Sequence, residues 1–154
     1  PARPVRTKRT AIGDTGVMIS TVLARSLRDI GLEWRPASGD AFRIDRDEFE
    51  SDIFTVSEMT VEAHEFDTGT ILGFNGTTEW ALDSVAIEDS LWLPREDQLR
   101  VLLGPAFRAL VRADGDAGYR VDVVFQGTPQ SFTATEPADA YAAALEQLLR
   151  LALE

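Results

Sequence analysis

The chain has 154 residues, 44% of them hydrophobic, a net charge of −11 and no cysteine. This length and hydrophobic content predict about one globular domain with its own core. The lack of cysteine excludes a thiolate nucleophile, thiol redox chemistry and a Cys-based zinc site. No apolar run approaches ~18 residues, and none follows the basic N-terminus. The sequence therefore predicts neither a membrane span nor a secretory signal, and we predict a cytoplasmic protein.

The charge is distributed unevenly along the chain. Residues 1–17 contain four basic residues and one acidic residue, so the remaining residues carry a charge of −14. A body of that charge repels a phosphate backbone, which disfavours nucleic acid as a partner. Because residues 1–17 also lack an apolar period, we predict a disordered basic extension there, and whether it is native to the chain stays open. Residues 18–154 are predicted to form a single domain.

Three helices are predicted, over residues 18–31, residues 93–104 and residues 136–154. Ser20 or Thr21 can cap the first helix, and the glycine at its last position can end it. A proline lies in the first turn of the second helix and of the third. The apolar faces predicted for the three helices consist, in order, of Val22, Leu23, Leu27 and Ile30; of Leu99, Leu102 and Leu103; and of Tyr141, Leu145, Leu148, Leu149 and Ala152.

Short runs of alternating or β-branched residues predict strands between the helices. Asn75-Gly76 separates two predicted strands and Gln126-Gly127-Thr128-Pro129 separates two others, and glycine at such positions favours antiparallel hairpins. Helices combined with largely antiparallel strands predict an α+β domain with the three helices packed on the sheet. The predicted strands are residues 41–44, 53–56, 59–66, 70–74, 79–85, 107–112, 119–125 and 131–135.

The two predicted hairpin tips resemble each other. Phe74–Trp80 reads FNGTTEW and Phe125–Phe132 reads FQGTPQSF, and both contain Phe-x-Gly-Thr at a spacing of 51 residues. Each hairpin precedes a predicted helix that begins with proline. Two interpretations stay open, a duplicated ββα unit or the chance recurrence of a common hairpin sequence.

The single histidine, His64, lies in the segment EAHEF with Glu62 two residues before it. On a strand these two residues share a face, since side chains alternate with a period of two. A histidine oriented by a neighbouring carboxylate is typical of a general base, so Glu62 and His64 form the candidate catalytic pair. The alternative is a solvated polar face of a strand.

A second candidate site is the acidic segment DRDEFESD, which follows the first predicted strand. Clustered carboxylates are the ligands that Mg²⁺, Mn²⁺ and Ca²⁺ prefer, and Asp45, Asp47 and Glu50 are the candidate metal ligands. The segment does not match an EF-hand loop, because the sixth position holds Glu50 and the twelfth Val56. The alternative is a solvated loop of like charges.

Tryptophan and arginine beside proline mark a third candidate site. Trp34 is followed by Arg35-Pro36, and Trp92 is followed by Leu93, Pro94 and Arg95. Tryptophan and arginine are enriched where protein surfaces bind partners, so Trp92, Trp34 and Arg95 are the candidate binding residues. We predict that the apolar run at Trp92 is partly exposed. The alternative is a hydrophobic staple at the start of the second helix.

Three long stretches, MISTVLARSLRDIGLEWRPASGDAFRI, FNGTTEWALDSV and LWLPREDQLRVLLG, cover much of the chain from Met18 onward. They resemble a family of short bacterial proteins of uncharacterised function, which often carry an automatic label of pilus-assembly protein. The resemblance implies that members begin near Met18. It supplies no catalytic residues.

These patterns favour a non-catalytic binding or interaction module with a protein partner or a second copy of itself, and with no cofactor. The usual phosphate-binding, dinucleotide-binding and acyl-transfer motifs are missing from the sequence. The alternative hypothesis is a small hydrolase that depends on Mg²⁺ or Mn²⁺ and combines the acidic segment with the Glu62–His64 pair.

Overall fold

The computed structural model describes residues 5–7, 18–45, 52–56, 61–66, 69–74, 84–86, 89–115 and 118–154, with the backbone alone described for 5–7, 61–66, 69–74 and 84–86. The chain divides into two compact units. We call Pro1–Arg9 and Trp34–Leu93 the aromatic unit, and Thr10–Glu33 and Pro94–Glu154 the helical unit. Along the chain, most of the aromatic unit is therefore an insertion between two parts of the helical unit.

Helices and antiparallel strands give the chain an α+β structure, as the sequence predicts. The helices are α1 Thr21–Ile30, α2 Glu96–Leu103 and α3 Pro137–Ala152, and a 3-10 turn, Gly104–Ala106, follows α2. The strands are β1 Val5–Thr7, β2 Ala41–Ile44, β3 Ile53–Thr55, β4 Val61–Phe66, β5 Gly69–Phe74, β6 Ser84–Ala86, β7 Ser90–Leu93, β8 Phe107–Arg112, β9 Tyr119–Phe125 and β10 Thr128–Ala134. No helix in these described ranges is long and apolar enough to cross a bilayer.

The helical unit contains a three-stranded antiparallel sheet in the order β10-β9-β8. Alternate residues of β9, namely Val121, Val123 and Phe125, are buried, and α3 packs on β9 and β10. Helices α1 and α2 both contact α3. Burying that apolar surface is the main source of stability for this unit, at about 25 cal/mol for each Å² removed from water.

Local signals set the ends of α1. The Ser20 hydroxyl oxygen accepts a hydrogen bond from the backbone N–H of Leu23 at 3.4 Å, and the backbone N–H of Ser20 donates to Asp139 Oδ1 at 2.7 Å. Gly31 ends the helix with a φ of 120°, a conformation that residues with a side chain rarely adopt. The predicted cap and end of α1 are both confirmed.

The hairpin between β9 and β10 has a two-residue turn. Phe125 pairs with Thr128, and the two residues between them, Gln126 and Gly127, have φ values of 51° and 81°. Two consecutive positive φ values belong to the type I′ turn, whose twist matches that of the flanking strands. The predicted hairpin is confirmed, with β10 beginning at Thr128 rather than at residue 131.

The aromatic unit contains two antiparallel sheets, one in the order β1-β3-β2-β7 and one in the order β4-β5-β6. Val5–Thr7 pairs with β3, so these residues form a strand within the extension that the sequence predicts to be disordered. The tip at Asn75-Gly76 lies outside the described residues. Strand β7 separates β6 from α2, whereas α3 follows β10 with no strand between. The two similar hairpin segments therefore lead into different structures.

The apolar faces predicted for the helices are partly wrong. Val22 of α1 is 75% exposed, and Ala24 is buried in its place. On α3 the buried residues lie nearer the N-terminal end, so Leu148 and Leu149 are half-buried and Ala152 is exposed. Helical spacing selects a face, but the packing of neighbouring elements decides how much of it is covered. The residues of α3 that are buried are Ala138, Ala140, Tyr141, Ala142, Ala144 and Leu145.

Candidate functional site

The structure brings the predicted binding residues Trp34 and Trp92 together. Trp34 precedes β2, and Trp92 lies on β7. Their ring centroids are 6.5 Å apart and their planes differ by 10°, which is the geometry of a stacked pair. Both residues are half-buried. The segment around Trp92 is a strand, and its neighbours Leu91 and Leu93 are 1% and 3% exposed. Within the run that the sequence predicts to be partly exposed, Trp92 is half-buried and both leucines are buried.

Two phenylalanines extend the stacked pair into a row of four rings. The ring of Phe42 lies 5.2 Å from Trp34 and 5.6 Å from Phe54, measured between centroids. Phe42 is the strand partner of both Trp92 and Phe54, and cross-strand partners share a face of the sheet. Phe42 and Phe54 are fully buried. The aromatic row therefore runs from the buried face of this sheet to two half-buried tryptophans.

A buried carboxylate holds Trp34 in place. Asp40 is 2% exposed, and its Oδ2 accepts hydrogen bonds from the indole N–H of Trp34 at 2.9 Å and from the backbone N–H of Ala37 at 3.0 Å. Main-chain bonds tie the same segment to the residues after β3, because Gly39 N donates to Val56 O and Val56 N donates to Asp40 O. Trp34 is therefore fixed by a closed turn.

The indole N–H of Trp92 differs from that of Trp34 in its hydrogen bonding. It is buried, and it has no hydrogen-bond partner within the described part of the chain. A buried donor without an acceptor typically costs about 1–3 kcal/mol, and such groups are rare enough in native proteins to require an explanation. The two stacked tryptophans thus differ, since one is satisfied by the fold and the other is not.

Arg95 belongs to the helical unit, where it lies at the start of α2, whereas Trp34 and Trp92 belong to the aromatic unit. Its guanidinium Nε donates to Asp97 Oδ1 at 3.1 Å, and this bond is the main reason why the pKa of Asp97 is lowered. Its backbone N–H donates to the Gln98 side chain at 2.9 Å. Arg95 thus contributes to the N-terminal end of a helix, and its role in binding stays a prediction.

The candidate metal and catalytic residues lie mostly beyond the described part of the chain. Asp45 is described, and its backbone N–H donates to Asp89 O at 2.7 Å, but Asp47 and Glu50 are outside the described residues. Glu62 and His64 lie on β4, and their side chains are not described. Among the described residues no group of three or more His, Cys, Asp or Glu side chains can hold a metal. The metal site and the catalytic pair stay predictions.

A second polar group lies on the helical unit's sheet. The guanidinium of Arg120 donates to both carboxylate oxygens of Asp122, at 2.8 and 3.2 Å, and the Ser131 hydroxyl donates to Asp122 Oδ1 at 2.7 Å. These bonds, that from Arg120 foremost, lower the pKa of Asp122. A carboxylate held ionised in this way is a poor general base at neutral pH, so the group is better suited to joining β9 and β10 than to proton transfer.

Sequence reasoning missed the residue that organises the site, Asp40. Its signal was present, because an aspartate after Ser38-Gly39 and before a strand is common at turns that bond their own backbone. What no local pattern shows is that the acceptor also reaches an indole six residues earlier. Comparisons of the chain with protein-family models, with curated proteins and with solved structures found no match. The site is therefore argued from its own geometry.

Proposed function

We propose that this protein is a non-catalytic interaction module that binds a protein partner, or a second copy of itself, at the Trp34–Trp92 pair. The observation that carries the proposal is the stacking of two half-buried tryptophans, one of which has a buried donor with no acceptor among the described residues. Tryptophan is the residue most enriched among the few that dominate the free energy of protein association.

The surroundings of Trp34 favour binding without reorganisation. The hydrogen bond to Asp40 and the tilted ring contact with Phe42 hold the Trp34 ring in one orientation before any partner arrives. A ring that is already ordered loses little conformational entropy on association, which leaves more of the interaction free energy as affinity. Trp34 therefore acts as the fixed platform of the pair.

Trp92 is the residue on which binding is expected to depend. Its ring is half-buried, so part of its apolar surface stays available to a partner. Its indole N–H has no acceptor within the described residues, so a partner that shifts the ring towards an acceptor gains a hydrogen bond that the free chain lacks. Truncating Trp92 removes both contributions and leaves the Trp34–Asp40 turn intact.

The test is a comparison of Trp92→Ala with Val101→Ala. Val101 is 75% exposed and lies on α2 in the helical unit, so its truncation removes a surface apolar group elsewhere. Light scattering after size exclusion, over a concentration series, gives the oligomer size of the wild type and of both variants. If the chain self-associates, Trp92→Ala is expected to weaken association by about tenfold or more, equivalent to about 1.4 kcal/mol, and Val101→Ala to leave it unchanged.

If the wild type is a monomer at all concentrations, the same pair of variants is tested as immobilised bait for a protein partner. A partner retained by the wild type and by Val101→Ala, but not by Trp92→Ala, supports the proposal. Equal retention by all three chains, with folding confirmed by circular dichroism, contradicts it.

A further inference from the structure

Strand β8 forms one end of the helical unit's sheet. It pairs with β9, and within the described residues no strand pairs with its other side. In such an edge strand, alternate backbone N–H and C=O groups point away from the sheet and are available to another chain. Exposure alternates along the whole strand, so that Arg108, Leu110 and Arg112 are exposed. These three residues lie on the exposed face of β8, and the ladder with β9 has a register shift at Arg108, between Phe107 and Ala109.

The opposite edge of the same sheet is protected. Strand β10 contains Pro129, which has no N–H to donate, and proline is one of the residues that prevent further strand pairing. Strand β8 contains neither proline nor glycine. Its β-branched and apolar residues favour strand pairing, and Leu110 is 37% exposed at the edge. The two edges of one sheet are thus unequal, and the regular part of β8, from Ala109 to Arg112 beyond a register shift at Arg108, is the better suited to accept a further strand.

The charge of β8 is opposite to that of the chain as a whole. The strand has two arginines and no acidic residue, whereas the chain carries −11. The guanidinium of Arg108 donates to the backbone carbonyls of Pro105 and Phe107, and no carboxylate partner is described for it. Arg112 likewise has no carboxylate partner among the described residues. Two arginines for which the described residues supply no carboxylate partner therefore lie on the strand at the end of this sheet.

These charges also discriminate between partners. If a second copy added its own β8 with Leu110 opposite Leu110, the arginines at positions 108 and 112 of the two copies would be brought close together, and like charges on neighbouring strands destabilise a strand pair. A strand with carboxylates at those positions would instead be stabilised at both. Nucleic acid, the other anionic candidate, lacks the peptide backbone that would extend the hydrogen-bond ladder of the sheet.

We propose that the free edge of β8 receives an extended acidic peptide segment as a fourth strand. Backbone hydrogen bonds along β8 supply the affinity, and carboxylates of the peptide pair with Arg108 and Arg112. An apolar residue between those carboxylates lies against Leu110. The residues of β8 belong to the helical unit, whereas Trp34 and Trp92 belong to the aromatic unit.

The experiment measures binding of a fluorescein-labelled peptide of alternating glutamate and valine by fluorescence anisotropy. The full-length chain is compared with the Arg108→Glu/Arg112→Glu double variant. The reversed variant is expected to bind the glutamate–valine peptide about tenfold more weakly or worse, and to prefer a lysine–valine peptide. Hydrogen exchange of the β8 amides is expected to slow when the glutamate–valine peptide is bound to the wild type.

Two controls separate strand addition from attraction by charge alone. Arg150→Glu reverses a charge at the far end of α3 and is expected to leave binding of the peptide unchanged. The same glutamate–valine peptide with alternate backbone amides methylated cannot donate hydrogen bonds along one edge, and is expected to bind weakly. Equal weakening by Arg150→Glu, equal binding of the methylated peptide, or no saturable binding to the wild type would each overturn the proposal. So would preferential binding of a single-stranded oligonucleotide.

Discussion

The two units bury different kinds of residue. In the helical unit the described buried residues are apolar, apart from the phenol of Tyr141, whose pKa is raised by burial. In the aromatic unit the core contains the aromatic row, and the three described buried polar residues, Asp40, Asp52 and Ser90, all belong to it. Apolar burial depends mainly on area and volume. Buried polar groups require particular partners at particular positions.

The difference indicates a division of roles. The helical unit buries four alanines of α3 against neighbouring elements, an arrangement that stabilises a fold and tolerates volume-conserving changes. The aromatic unit fixes one tryptophan with a buried carboxylate and leaves the donor of another unsatisfied. A buried donor without an acceptor reduces stability. Features of this kind are concentrated where proteins bind ligands or partners.

The chain offers a separate spectroscopic reporter for each unit. All three tryptophans, at positions 34, 80 and 92, lie in the aromatic unit. The described helices α1, α2 and α3 all lie in the helical unit. Tryptophan fluorescence therefore follows the first unit and far-ultraviolet circular dichroism at the helix band follows the second, so each substitution below can be assigned to the unit that it affects.

The largest effect is expected for Asp40→Ala. The change removes the buried acceptor of two part-buried hydrogen bonds, from the Trp34 indole N–H and the Ala37 backbone N–H, and hydrogen bonds to a charged group contribute roughly 1.5–3 kcal/mol each. We expect the free energy of unfolding to fall by about 4 kcal/mol in urea titrations followed by tryptophan fluorescence. Asp40→Asn keeps one acceptor oxygen and is expected to recover part of the loss.

Leu145→Ala is the matched change in the helical unit, because Leu145 is 1% exposed and its truncation leaves a cavity. Such a change typically costs about 2–5 kcal/mol. We expect it to displace the transition seen by circular dichroism. If Asp40→Ala did not change the urea midpoint followed by tryptophan fluorescence, the conclusion that buried polar groups stabilise the aromatic unit would be contradicted.

A smaller effect is expected for the two tryptophan-to-phenylalanine substitutions, which separate the satisfied donor from the unsatisfied one. Trp34→Phe leaves Asp40 with one donor fewer, whereas Trp92→Phe removes a donor that has no partner. The loss of ring volume is the same in both. We therefore expect Trp34→Phe to reduce the free energy of unfolding by about 2 kcal/mol more than Trp92→Phe does. Equal urea midpoints would show that the Asp40 bond does not fix the pair.

The smallest effect is expected for the pH dependence of the Arg120–Asp122 pair. Its bonds to Arg120 and Ser131 lower the pKa of Asp122 in the folded chain, below about 3.9 in the unfolded chain. The stabilisation is therefore present above about pH 4 and is lost as the pH falls through the folded-state pKa. It is small because 43% of the Arg120 side chain is exposed to solvent.

The measurement compares wild type and Asp122→Asn at neutral pH and at acidic pH, by circular dichroism in urea. The difference between the two chains should shrink as the pH is lowered below about 4. A difference that persists unchanged in acid would assign the effect of the substitution to packing and not to the ionised carboxylate.

The sequence by itself determined the features whose causes are local. Ser20 and Gly31 bound α1, Pro137 begins α3, and Gln126-Gly127 makes the turn of a hairpin, each through the conformational preferences of one or two residues. The α+β class follows from such signals because each of them operates within a few positions of the chain.

Only the tertiary structure decided the candidate site. The segment SLWL is too short to show a period, and it becomes a strand because β2 pairs with it, placing Trp92 opposite Phe42. Asp40 shows a turn signal in the sequence, but its burial against the Trp34 indole depends on the packing of the sheet. Contacts between residues far apart in the chain depend on pairing and burial together, and a local pattern contains neither.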